Sequence, residues 1–469
     1  MPTNIVNDNG DLASTSGNYK KGITLFIILF AVLGGILYGY DIGVISGALL
    51  FLDKTIHLTT EQTGFIVGAV LGGGAVATLV AGFLADIFGR KKIIIWGTVF
   101  FLIGVVLTVI ANSYSMLLWG RLIQGVGIGV VSMVIPLFIT EVAPAKVRGR
   151  AISLFQLFLT LGISLAFVVD LAFTPTGNWR AMFGMVIIPG IIFIIGAFFL
   201  PESPTWLFIK KSKEKVKATL LRIYDENDSD IILDQMETLK NEKASGKKSG
   251  RKNETIFKKA YMIPFFIAFF IAILQQFTGV NVVLQYVPVI FKSSGVQSNF
   301  ISMLLSTGLA VLNVAFTVIA LILIDKLGRK LLLSIGTCGL TLGLAICAFS
   351  FMFSGYGQAV VLCIGLVIFM CLYSVGPGVI VWLAMSEILP ANIRGKGMAI
   401  CLFANSLASA FLSSVVLLWR DAIGFEGVFW IFVICSCAYA FIALFIIPET
   451  KGKTLEEIEE HFRGHSKAK

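Results

Sequence analysis

Apolar residues in this 469-residue chain gather in long unbroken runs and do not alternate with polar ones. Charge-poor stretches recur at 22–52, 61–85, 93–112, 115–140, 151–173, 181–200, 261–291, 301–324, 331–353, 357–386, 397–419 and 425–447. A bilayer core of ~30 Å is crossed by ~20 apolar residues in a helix, whereas a transmembrane barrel shows ~10-residue alternating segments. The pattern therefore predicts an all-α membrane protein with twelve transmembrane helices.

Polar segments divide the runs into halves. An N-terminal arm (1–21) precedes six helices (22–200), and a linker (201–260) mixes fourteen basic with ten acidic residues. Six more helices (261–447) and a tail (448–469) follow. Within the linker, an amphipathic helix is expected near 213–240 and a flexible stretch near 241–254, where "KNEKASGKKSGRKNE" is found. The halves echo each other: "ADIFGRKK" at Ala85–Lys92 returns as "IDKLGRKL" at Ile324–Leu331, "EVAPAKVRGR" at Glu141–Arg150 as "EILPANIRGK" at Glu387–Lys396, and "PES" at 201 as "PET" at 448. Near-constant offsets of 239, 246 and 247 residues argue for duplication, and six-plus-six repeats characterise transporter folds with a midplane binding site.

Charge fixes the expected orientation. With both termini in the cytoplasm, cytoplasmic segments hold 32 of the 37 Lys and Arg residues, as the positive-inside rule requires. The net charge of +10 is then a topology signal, and nucleic acid is not an expected partner. The seven cysteines lie in apolar runs of the second half without a CxxC pair, so they read as small buried apolar residues and not as a disulfide or metal framework. No removable signal peptide is read, because residues 1–19 are polar and the first apolar run is too long.

A few polar residues interrupt the runs. Asp41 is the only acid between Gly22 and Leu52, and Arg121 is the basic residue inside a membrane run. Helix rise puts both at a similar depth, ~10 Å or so from the outer surface. A charge there is expensive and normally faces a partner or a cavity. Two readings follow: a permanent salt bridge that fixes helix packing, or a switch in which helix motion separates the pair and leaves Asp41 to take a proton. With no histidine in a membrane run, Asp41 is the best proton carrier, and Tyr38 lies one turn before it on the same face. Asp170, near the outer end of the fifth run, is expected to reach water.

The seventh run carries "LQQFTGVNVVLQY". On a straight helix Gln275, Thr278, Asn281 and Gln285 share an arc of ~120°, with Gln276 ~100° away. Such amides serve as helix–helix glue or as hydrogen-bonding groups lining a cavity, and Gly279 favours the second reading because local unwinding brings Gln276 round. Gly376, Pro377 and Gly378 are expected to break the tenth run, and Trp382 lies near its midspan.

Together "GRKK", "GRLIQGVGIG", "EVAPAKVRGR", "PESPTWL", "QQFTGVN", "GPGVIVW" and "PETKGKTLEEIE" resemble the sugar porter family of the major facilitator superfamily, over nearly the whole chain. The resemblance implies two six-helix bundles, sugar contacts at Gln156, Gln275, Gln276, Asn281, Trp382 and Asn405, and proton coupling through Asp41 with Arg121. Tyr38, Gln285 and Gly378 complete the expected substrate site. It also implies cytoplasmic gating networks of Asp86, Arg90, Glu141 and Arg148 in one half, and of Asp325, Arg329, Glu387 and Arg394 in the other; read without it, these loops simply obey the positive-inside rule. The chain departs from the family at Gln285, where Tyr is common, at Ser406, where many members have Trp, and at Val379, where a second Pro is common.

The expectation is a plasma-membrane monosaccharide transporter that works by alternating access with proton symport. It has the bilayer, a sugar and a proton as partners, no cofactor and no metal, and a monomer suffices to form the path. Alternatives are a proton-independent facilitator, a membrane sugar sensor and a drug–proton antiporter. An enzyme is disfavoured, because His57, His461 and His465 lie outside the membrane runs and no nucleophile–base pair is visible.

Overall fold

The computed structural model describes residues 19–244, 259–390, 393–449, 451 and 457. The start of the arm, residues 245–254 of the stretch expected to be flexible and most of the tail lie outside the described residues, while residues 241–244 of that stretch are helical. Among those described, no strand forms; one backbone bridge joins Tyr19 to Tyr224.

The first half comprises α1 (Lys21–Ala48), α2 (Thr60–Phe88), α3 (Arg90–Val109), α4 (Tyr114–Val142), α5 (Ala145–Phe173), and α6 (Trp179–Gly184) followed by α7 (Ile187–Phe199), which share one apolar span. The linker forms α8 (Pro204–Lys210), α9 (Lys213–Ile223) and α10 (Glu226–Ala244). The second half comprises α11 (Lys259–Phe277), α12 (Val280–Ser293), α13 (Asn299–Leu327), α14 (Arg329–Ser350), α15 (Tyr356–Val375), α16 (Pro377–Ile388) and α17 (Arg394–Phe441).

Twelve expected crossings become eleven apolar spans because the last, Arg394–Ile446, has 53 residues. At ~1.5 Å per residue that is about twice the bilayer thickness. The chain breaks within it at Gly424, with φ 70° and ψ 169°, between the two runs the hydrophobic pattern separates. The seventh and tenth runs are broken as well, at Gly279 (φ 80°) and at Gly376, which precedes Pro377.

Without a hydrophobic drive between helices in lipid, close approach of small residues holds them together. Gly35, Gly39, Gly43 and Gly47 of α1 recur every four residues, and a Cβ on any of them would meet α5 at Phe155, Leu159, Ile163 or Asp170. Gly125 and Gly129 bring α4 equally close to Val70 and Gly74 of α2.

The halves meet at the end far from the linker. There α2 packs on α17, with Gly64 and Gly68 against Ser414 and Ala410, and Thr307 of α13 donates to the Phe167 carbonyl of α5 at 3.2 Å. The α1 helix also touches α12. One apolar cluster runs through both halves at that end, from Val44 and Phe167 to Val283 and Val416. At the linker end the second half keeps a cluster of its own, with Tyr261, Ile271, Leu333 and Met385. The far end is closed.

The cysteine expectation is corrected in part. All seven are free, but Cys338 and Cys437 are exposed on helices that cross the membrane, where lipid and not protein covers them.

Candidate functional site

The break at Gly279 builds the first polar cluster. A left-handed residue ends α11 and starts α12 in a new direction, so Gln276 and Asn281 face each other across the break instead of lying on opposite helix faces. Asn281 Nδ2 donates to Gln276 Oε1 at 2.9 Å, and Gln276 Nε2 donates to Gln275 Oε1 at 2.9 Å and to Asn405 Oδ1 at 3.1 Å. Asn405 closes the ring with a bond from Nδ2 to Gln275 Oε1 at 2.7 Å. The straight-helix arc does not survive: Thr278 bonds back to the Gln275 carbonyl of its own turn.

Four expected residues are thus joined in one network. Gln285, one turn beyond Asn281, accepts from Ser413 instead. Trp382 and Gly378 are half-buried on α16, and Gln156 and Tyr38 are half-buried on α5 and α1 of the other half. None of these four joins the amide ring by a described hydrogen bond.

The second cluster lies wholly in the first half. Arg121 Nη1 donates to Asp41 Oδ1 at 3.4 Å and to Gln124 Oε1 at 3.2 Å, and Gln124 Nε2 donates to the same Asp41 oxygen. Asp41 and Arg121 are 0% and 1% exposed, and the guanidinium sits over the Phe183 ring at 5.2 Å. Asp41 Oδ2 has no hydrogen-bond partner among the described residues. An acid with one oxygen held and one uncommitted is arranged to accept a proton at the second. Asp170 corrects an expectation: it is wholly buried, not in reach of water, and takes the Gly47 N–H at 2.9 Å. Its distance from the helix end suggested water, but its face is turned to α1.

The loops repeat one design. Arg90 makes a two-pronged pair with Glu141, at 2.8 and 2.9 Å, and a 2.8 Å pair with Asp86. Arg329 pairs with Glu387 at 3.3 Å, while the Asp325 side chain lies outside the described residues. Arg148 and Arg394 turn onto the Ala143 and Leu389 carbonyls of their own loops, at 3.4 and 3.2 Å. Each described pair stays within one half.

Several contributors escaped the sequence reading. Glu202 accepts the Arg90 and Lys91 N–H groups at the start of α3, and Glu449 accepts those of Arg329 and Lys330 at the start of α14. The PES/PET repeat, at an offset of 247 residues against 239 for the glycine–arginine loops, was the available signal. Gln124 stands three residues after Arg121 and so on its face. Tyr373 accepts from Gln275 at 2.8 Å, and Ser374 donates to Asn313 at 2.7 Å; nothing in the sequence set these apart from other polar residues in helices.

A polar core at a helix break in one six-helix half, with a buried acid–base pair in the other, fits a secondary-transporter architecture. The family model "Sugar (and other) transporter" matches residues 27–462, and the chain belongs to that family. It is 35% identical over 458 residues to "Probable metabolite transport protein CsbC" of Bacillus subtilis (strain 168), covering 96% of this chain and 97% of the relative. It is 32% identical over 453 residues to the galactose-proton symporter of Escherichia coli (strain K12), covering 96% of each. Among solved structures, the inward open conformation of the xylose transporter XylE from E. coli superposes with a TM-score of 0.79 at 28% identity, over 93% of this chain and 99% of that one.

Proposed function

We propose that this chain carries a monosaccharide across the plasma membrane by alternating access, in symport with a proton. The observation that carries the reading is the ring of Gln275, Gln276, Asn281 and Asn405 around the Gly279 break. Each amide offers a donor and an acceptor, the complement of a sugar hydroxyl. Gln156 from the opposite half reaches the sugar from its other side, and Trp382 stacks on the C–H face of the ring. The galactose-proton symporter and XylE, similar over nearly the whole chain, support the substrate class.

With both termini cytoplasmic, the closed far end faces outward and the sugar site opens to the cytoplasm, in keeping with the likeness to an inward open XylE. Return to the outward state parts α2 from α17 and α5 from α13 and brings the linker ends together. The loop residues Asp86, Arg90, Glu141, Arg148, Asp325, Arg329, Glu387 and Arg394 set the balance between the two states without touching sugar. Asp41 takes the coupled proton when motion of α1 draws it from Arg121, and the uncommitted Oδ2 is where it binds. The linker 201–260 serves as a connector between the two bundles, and the protein performs no covalent chemistry.

A facilitator is the second reading, favoured by the complete burial of the Asp41–Arg121 pair, which a purely structural bridge would also show. Purified protein in proteoliposomes separates the two. Counterflow of a radiolabelled sugar is expected, together with accumulation driven by an imposed proton gradient. Counterflow without accumulation makes the protein a facilitator, and no flux of any monosaccharide removes the reading.

A further inference from the structure

The polar bonds between α12 and α17 share one register. Asn281 Nδ2 donates to Ser409 Oγ at 2.7 Å, and four residues on in both helices Ser413 Oγ donates to Gln285 Oε1 at 2.7 Å. Tyr286 adds a bond from its hydroxyl to the Ser413 carbonyl, also 2.7 Å. Four residues are about one turn, ~6 Å of rise, so the bonds form two rungs along the same seam.

The rungs differ in access. Asn281 is half-buried beside the Gly279 break, whereas Gln285 and Ser413 are 2% and 0% exposed. Both hydrogens of the Asn281 amide are committed, one to Gln276 Oε1 and one to Ser409 Oγ. A sugar oxygen therefore accepts a hydrogen from the Asn281 amide nitrogen only by displacing a partner. Ser409 is the partner with less to lose: it accepts from Asn281 and gives up no donated bond, so its hydroxyl hydrogen can rest on the carbonyl one turn back when the amide leaves, as a helical serine does. Ser414 of the same helix does this, bonding the Ala410 carbonyl at 2.8 Å.

We propose that Ser409 is a competitor built into the sugar site: it holds the Asn281 amide while the site is empty, a sugar hydroxyl takes its place, and the Gln285–Ser413 rung keeps α12 seated on α17 during the exchange. Gln285 and Ser413 are then positioning residues and not sugar ligands. The inference rests on the reading that Asn281 binds sugar. It also gives the Gln285 departure a role, since an amide oxygen reaches Ser413 where a different side chain would have to find another partner.

The test is equilibrium binding of D-glucose, D-galactose, D-xylose and L-arabinose to the purified full chain, followed with the sugar that binds best. Ser409→Ala is expected to bind roughly three- to tenfold tighter, because the sugar no longer breaks a bond to enter, and Ser409→Thr, which keeps the hydroxyl, to match the wild type. Unchanged or weaker binding by Ser409→Ala overturns the competitor. Ser413→Ala and Gln285→Leu are each expected to weaken binding several-fold, with the double variant no worse than either single one, and Ser413→Thr to restore it. Additive losses, or none, overturn the upper rung. Asn281→Ala keeps the two failures apart: if it leaves affinity unchanged, the sugar-site reading falls, and if it weakens binding while Ser409→Ala does nothing, only the competitor falls.

Discussion

Gly279 and Phe432 meet so closely that a Cβ on the glycine would come within 2.5 Å of a ring atom of the phenylalanine. The contact and the left-handed backbone at φ 80° act together to fix the turn from α11 to α12. Gly279→Ala therefore faces two penalties: about 1–2 kcal/mol for a side chain in that conformation, and displacement of a buried ring. The expected result is a lower melting temperature and a loss of sugar binding out of proportion to it, since the amide ring depends on the angle of the break. Wild-type affinity in a folded Gly279→Ala variant would show that the site does not need the break.

Asn281→Ala and Trp382→Ala test the two kinds of sugar contact separately. Removing the amide leaves a hydroxyl and the Gln276 oxygen without their donor, and removing the indole loses stacking area. Each is expected to weaken sugar binding by about 1–3 kcal/mol. Calorimetry on purified protein measures this, and unchanged affinity in both variants removes them from the site.

The fold was legible because lipid imposes a simple rule, that a span must be long, apolar and helical. The sequence pattern separates two runs at Arg420–Gly424, and there the structure joins them as one long helical segment broken only at Gly424. The site was legible in part. Gln275, Gln276, Asn281 and Asn405 stand out as amides in apolar runs, and the Gly279 break explains how Gln276 joins them. Tyr373, Ser409 and Ser413 did not stand out, because a hydroxyl bonded to another helix looks the same in sequence as one bonded to its own. Thr98 and Thr337, which bond the carbonyls of Ile94 and Leu333 one turn back, show the indistinguishable case. Asp170 failed for a related reason: position along a helix says nothing about which neighbour a face meets.

Glu202 and Glu449 hold the first N–H groups of α3 and α14 after a glycine with positive φ, Gly89 and Gly328. A carboxylate there satisfies donors the helix cannot, and favours the positive end of its dipole. Glu202→Ala and Glu449→Ala are each expected to destabilise their half by about 1–2 kcal/mol, read as a lower melting temperature in detergent. Glutamine retains an acceptor oxygen and should recover much of the loss. Equal stability of the alanine variants and the wild type would leave the PES/PET repeat without this capping role.

The Asp41 carboxylate is held on one oxygen by both Arg121 and Gln124, and its other oxygen has no partner among the described residues. Asp41→Asn keeps an acceptor oxygen for Arg121 and Gln124 and nearly the same volume, so the helix packing around it is expected to persist. What it removes is the ability to exchange a proton. The variant should therefore lose sugar accumulation driven by a proton gradient, while sugar binding and equilibrative counterflow stay near wild-type levels. Proteoliposomes with a pH-sensitive dye inside read both quantities in one preparation, and a melting curve checks that the variant is folded. Loss of counterflow along with accumulation would make the pair structural, a bridge that cannot be opened without damage. Accumulation that survives in Asp41→Asn, or a wild type that never acidifies the lumen when sugar enters, would remove Asp41 as the proton carrier.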